Sequence, residues 1–172
     1  MCEAIDNFQA RSFGNGLYKT VFVVQWRNRH MKDGEFLKVT PSSERLYGPK
    51  GIVFCGFAAA EHEPLVNALS QIGFGDRPLI FATDGDVGKS LKELLTTTDR
   101  SGMGESTDMP RATIMSGCTQ MEVHTLMTAF KEAGFPRQLW ATLTPISEDW
   151  HLGALLEELI KEDVAFRDRP TK

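Results

Sequence analysis

Apolar runs in this chain stop at strand length, as in Val21-Phe22-Val23-Val24, far short of the ~20 residues that cross a bilayer as a helix. No transmembrane segment is expected, and association with a membrane would come only through a partner. Cysteine is scarce. Cys2, Cys55 and Cys118 show neither paired-ligand spacing nor a disulfide framework, which points to a reducing compartment. His30, His62, His124 and His151 add no ligand spacing, so no metal site and no cofactor are expected. Met1-Cys2-Glu3-Ala4-Ile5-Asp6 lacks the basic start and apolar stretch of a signal peptide and the acid-poor character of a transit peptide. The chain is therefore expected to stay in the cytoplasm where it is made, or else to be numbered from a mature end. Excess positive charge is also missing. The net charge is −4, with a mildly basic first third and an acidic remainder, so no nucleic-acid partner is expected.

What is present is a globular composition and an internal repeat. Apolar residues make up 41% and charged residues 24% of the 172, enough for one domain with a core. At an offset of 61 residues, Gly56 falls on Gly117, Glu61 on Glu122, Gly73-Phe74 on Gly134-Phe135, Thr83 on Thr144 and Leu94-Leu95 on Leu155-Leu156. Ten identities accumulate over residues 52–96 without a gap. The spacing divides the chain into copy one at 51–97, a flexible linker of Ser, Gly, Thr and Asp around Met103 and Met109 at 98–111, copy two at 112–163 and a tail at 164–172, with residues 1–50 outside the repeat.

Each copy reads as β-α-β-α. A short apolar strand (Ile52 to Cys55; Thr113 to Ser116) is followed by a helix with apolar residues at three-and-four spacing. Thr119 and Glu122 have capping-box form, whereas Ala58 offers Glu61 no reciprocal oxygen. Gly73 and Gly134 stand where left-handed C-terminal residues belong. Second strands are expected at Pro78–Ala82 and Gln138–Leu143, and second helices at Gly88–Thr97 and Asp149–Asp163. The resulting fold class is α/β: a mostly parallel four-stranded sheet with covering helices and a pseudo-twofold axis. Outside the repeat, Tyr18–Trp26 and Glu35–Thr40 predict an N-terminal β-hairpin at the sheet edge, preceded by an extended arm.

The residues with chemical potential are few. Thr83 to Ser90 ends in Gly88-Lys89-Ser90 between a strand and a helix, as a phosphate-binding loop does, but Thr83 stands where such a loop needs its first glycine. A nucleotide- or anion-binding enzyme using loop 84–90 is the alternative reading. Cys118 precedes a helix start, where a thiol's pKa falls. Asp84/Asp86 and Glu148/Asp149 read as helix-start acids, and Trp140 and Trp150 as core or interface aromatics. No catalytic residues emerge. Phe8, Phe13, Tyr18, Trp26, Arg27 and Arg29, together with Trp150, have the residue types enriched in interface hot spots.

Thr144-Pro145, then Trp150, then Leu155-Leu156-Glu157-Glu158-Leu159 resembles a small family of bacteria and plastids known only as a domain of unknown function. The resemblance covers about residues 112–163 and implies no activity. It raises the expectation of a plastid location if the numbering starts at a mature end. The functional expectation is a non-enzymatic protein-binding or assembly module, an accessory subunit of a plastid photosynthetic complex, with the N-terminal arm lying along a larger protein partner.

Overall fold

The computed structural model describes Phe22–Val23 and residues 44–168. Its elements are β1 (Phe22–Val23), β2 (Gly51–Cys55), α1 (Ala59–Gln71), β3 (Leu79–Phe81), α2 (Leu91–Leu95), β4 (Ala112–Ser116), α3 (Gln120–Glu132), β5 (Leu139–Thr142) and α4 (Leu152–Arg167), with one 3-10 turn at Asp84–Asp86. The sheet order is β1-β5-β4-β2-β3. Within each copy the strands are parallel, and the two copies meet antiparallel at β2 and β4. The sheet is therefore mixed at its centre.

The repeat register carries over residue by residue. Ile52 pairs with Leu79, Val53 with Ile80 and Phe54 with Phe81; 61 positions on, Thr113 pairs with Trp140, Ile114 with Ala141 and Met115 with Thr142. Across the centre, Val53 faces Ile114, its own repeat equivalent. A pseudo-twofold axis passes between them.

Both central strands are buried along their whole length, so strand alternation sends side chains into two separate cores. Val53, Ile80, Ile114 and Leu143 pack with the leucines of α2 and α4 in an aliphatic layer. Ile52, Phe54, Phe81 and Met115 pack with α1 and α3 in an aromatic one. There Phe54 stacks on Phe81 with centroids 5.5 Å apart, and Trp140 meets Phe130 edge-on at 5.3 Å.

Local chemistry explains the first helices well. Thr119 Oγ1 accepts the Glu122 N–H at 3.1 Å while Glu122 accepts the Thr119 N–H at 2.7 Å; Glu61 accepts the Ala58 N–H at 2.9 Å, and the Glu61 N–H goes to the Ala58 backbone carbonyl at 2.8 Å in place of a side-chain cap. Gly73 and Gly134 have φ of +89° and +72°. In each copy the following Phe N–H reaches back to the carbonyl of Leu69 or Phe130, which closes a Schellman motif.

The second helices differ from expectation. α2 begins at Leu91 rather than Gly88 because Ser90 caps it and the backbone before it is engaged at the axis. It stops at Leu95 because Thr96 and Thr97 hydroxyls donate to the carbonyls of Glu93 and Leu94. α4 begins at Leu152 and runs to Arg167, into the expected tail, where Arg167 pairs with Asp163 one turn back. The stretch expected as a flexible linker is built into the fold. Phe81 N–H donates to Ser101, Arg100 N–H to Leu79, and Leu79 N–H to the Asp99 carboxylate, so residues 99–101 close the outer edge of β3. On the opposite edge β1 adds antiparallel to β5 at Thr142 and Ala141; Glu35–Thr40, the second strand of the expected hairpin, and the arm lie outside the described residues.

Gly56 and Gly117 hold the corners after β2 and β4 in the left-handed region, each under a crossing segment of the chain. A Cβ on Gly56 would sit 2.2 Å from the Met109 carbonyl oxygen, and one on Gly117 would sit 2.8 Å from that of Gly48. Gly73 shares the positive φ but faces open space. Gly73→Ala should therefore cost only the left-handed penalty of about 1–2 kcal/mol, and Gly56→Ala about 3 kcal/mol or more. Urea unfolding of the two variants measures the difference, and equal losses would contradict the close approach at Gly56.

Candidate functional site

The loop that resembles a phosphate cradle is occupied by its own structure. Asp86 accepts the Thr83 N–H at 2.8 Å, the Thr83 hydroxyl at 2.9 Å and Lys89 Nζ at 2.7 Å. Ser90 N–H donates to Glu93 at 2.8 Å, and Lys89 N–H to the Asp86 carbonyl at 3.0 Å. His151 contacts the Gly88 carbonyl. Gly88, Lys89 and Ser90 thus all have structural partners, and α2 behind them has five residues. In copy two the same turn is built from Thr144 and Ser147, with Ser147 Oγ accepting the Thr144 N–H at 3.0 Å. Ser147 stands where copy one has Asp86, so the fold needs an acceptor there rather than a charge.

The two loops meet each other. Ser90 and His151, repeat equivalents, form an antiparallel bridge. Trp150 gives its carbonyl to the Leu91 N–H at 3.0 Å, and its ring packs half-buried against the aliphatic core. It is a core aromatic more than an open contact. The other expected partner-binding residues, Phe8, Phe13, Tyr18, Trp26, Arg27 and Arg29, lie outside the described residues.

A polar cluster lies at the C-terminal end of β4. Arg77, with a side chain 2% exposed, donates to Glu122 at 2.7 Å and to Cys118 Sγ at 3.1 Å while stacking on Phe74 at 4.4 Å. Arg45 donates to the Gly117 carbonyl at 2.9 Å and lies 3.7 Å from Glu122. Burial opposes ionisation of Glu122, but the Arg77 hydrogen bond, the Thr119 N–H and the two guanidinium charges outweigh it and hold the carboxyl below its ordinary range. Burial pushes the Cys118 thiol up, and Arg77 offsets this only in part. Cys118 is a buried thiol at the corner between β4 and α3. Cys55 is pushed up to about 12, by burial first and the charge of Asp86 second.

Copy one has a related strap. Arg111 donates two bonds to Glu61, at 2.8 and 2.9 Å, and lies 3.9 Å over Phe57. Both straps run across the repeat boundary, since Arg77 of copy one holds α3 and Arg111, the residue just before copy two, holds α1. Sequence reasoning missed both arginines. The only signal for them was the repeated Glu61/Glu122. His62 is buried with both ring nitrogens used: Nδ1 accepts the Gly104 N–H at 3.0 Å, so Nε2 donates to the Phe57 carbonyl at 3.1 Å.

On the outside of the polar cluster three large apolar side chains face solvent. Tyr47 is 41%, Ile146 40% and Met121 51% exposed. The Tyr47 hydroxyl donates to Glu148 at 2.8 Å, which ties the 45–50 segment to the loop carrying Ile146. Met121 lies in the first turn of α3, just past the backbone bridge between Arg45 and Thr119. The repeat positions of Met121 and Ile146 in copy one are Ala60 and Gly85.

Among the described residues no group of His, Cys, Asp and Glu is placed to hold a metal ion, and no helix is long and apolar enough to cross a membrane. Residues 111–166 match the model of a family described as a domain of unknown function, DUF3783; this is copy two, the stretch whose Thr-Pro, Trp and Leu/Glu pattern resembles such a family. No curated protein and no solved structure matches the chain.

Glu61, Asp86 and Glu122 are all held below their ordinary range. For such groups the unfolded state takes up protons more readily, so the stabilisation is present above the ordinary carboxylate range and is lost as pH falls through it. Stability should drop below about pH 4.5, and Glu122→Gln, which keeps the capping geometry but removes the charge, should flatten that slope. Urea midpoints between pH 3 and pH 7 test this, and an unchanged slope would show that Glu122 is not one of the groups responsible.

Proposed function

We infer that the chain is a non-enzymatic protein-binding module that serves as a subunit of a larger assembly. The observation that carries the reading is the difference between the copies at the end of β4 and β5. At these positions copy one has Ala60 and Gly85, whereas copy two puts Met121 and Ile146 into solvent, where Tyr47 also stands. Exposed Met and aromatic side chains are interface types. The groups that could do chemistry are already engaged: Cys55 and Cys118 are buried, Lys89 is held by Asp86, and Glu61 and Glu122 are held by arginines. The resemblance to a bacterial and plastid family supports seeking the assembly among plastid complexes, with the N-terminal aromatics and arginines as a second contact.

The double substitution Met121→Asp, Ile146→Asp should leave stability within about 0.5 kcal/mol of the parent, as surface changes do, and abolish co-isolation of the partner from the native source. Removal of residues 1–16 tests the arm separately. Undiminished co-isolation by both variants would refute the reading.

A further inference from the structure

The contacts between the copies are isologous, as in a twofold-symmetric homodimer. Val53 lies opposite Ile114 in the sheet, and Ser90 lies opposite His151 on the α2/α4 face. In both pairs a residue meets its own repeat equivalent. The hydrogen bonds around the second pair come in matched sets. Leu91 N–H donates to the Trp150 carbonyl at 3.0 Å and Leu152 N–H to the Lys89 carbonyl at 2.9 Å; Lys92 N–H donates to Glu148 and Gly153 N–H to Val87, both at 2.9 Å. All four are backbone bonds and make no demand on side-chain identity. The family match covers one copy, residues 111–166. A single copy would leave the edge of β4, buried over all five residues, open to water and to any strand that could pair with it.

We propose that copy two is a self-pairing unit whose β4 edge and 144–151 loop accept a second copy of themselves, and that copy one of this chain occupies the place of that second subunit. The partner that fits the surface is copy two of another molecule of the same chain. In the intact molecule copy one is tethered beside this surface at high effective concentration and keeps it covered. Displacing copy one uncovers it.

The test uses the full chain with Phe54→Asp and Ile80→Asp, which remove copy one from the sheet, and with His151→Cys as reporter at the axis. Sedimentation should show a dimer, oxidation should link position 151 of one chain to position 151 of the other, and addition of Ile114→Asp should abolish both. A monomer, or an oligomer that fails to link 151 to 151, overturns the proposal. A second variant keeps the fold intact: Val53→Ile creates at the axis the Ile–Ile pair that a self-paired copy two would have. Its melting temperature should stay within about 5 °C of the parent, and a larger fall means that the axis has no room for the self-pair and likewise overturns the proposal.

Discussion

The antiparallel pairing of β2 with β4 is the constraint on which the rest of the structure depends. Each copy supplies two parallel strands and two helices, too little for a closed core, and only the pairing at Val53 and Ile114 joins the halves into one sheet. Both faces of the central strands are then covered, by α2 and α4 on one side and by α1 and α3 on the other. The polar contacts repeat the same logic. Arg77 of copy one and Arg111 just before copy two each reach to the helix start of the other half, so the glutamate in the first turn of α3 or α1 also ties the halves together. Each arginine is stacked on Phe74 or Phe57 and pairs its terminal nitrogens with a glutamate, while its Nε is buried without a hydrogen-bond partner.

Much of this architecture was legible in the repeat. Ten identities without a gap require the strands of the two copies to share register, and Ile52/Leu79 and Thr113/Trp140 do. Capping chemistry was equally local, from Thr119 and Glu122 to the two Schellman glycines. What could not be read was tertiary. The composition of 98–110, with its Ser, Gly, Thr and Asp, describes what a backbone is free to do, whereas Gly102 is there because a Cβ would come within 1.9 Å of the Phe81 carbonyl oxygen as the segment packs on β3. The end of α2 at Leu95 depends on two threonine hydroxyls turning back onto the helix. Arg77 and Arg111 find partners 45 and 50 residues away, a pairing that no periodicity announces.

The duplication also separates folding from function. Features shared by both copies, such as the corner glycines and capping glutamates, have structural duties in each. The Gly88-Lys89-Ser90 sequence, which invites a phosphate-binding reading, shares its backbone role with Trp150 and His151 at the axis, and those residues have nothing in common with it chemically. Its backbone hydrogen bonds are those of a turn that the fold uses twice. The exposed Met121 and Ile146 have no such counterpart, and the account of function rests on that asymmetry.

If the central pairing holds both copies in one cooperative unit, amide hydrogen exchange under native conditions measures it most directly. The Val53 and Ile114 amides, which face each other across the central pairing, should exchange with the same free energy, because opening that pairing frees both sets at once. Exchange of one set through a lower-energy opening, with the other still protected, would contradict the account.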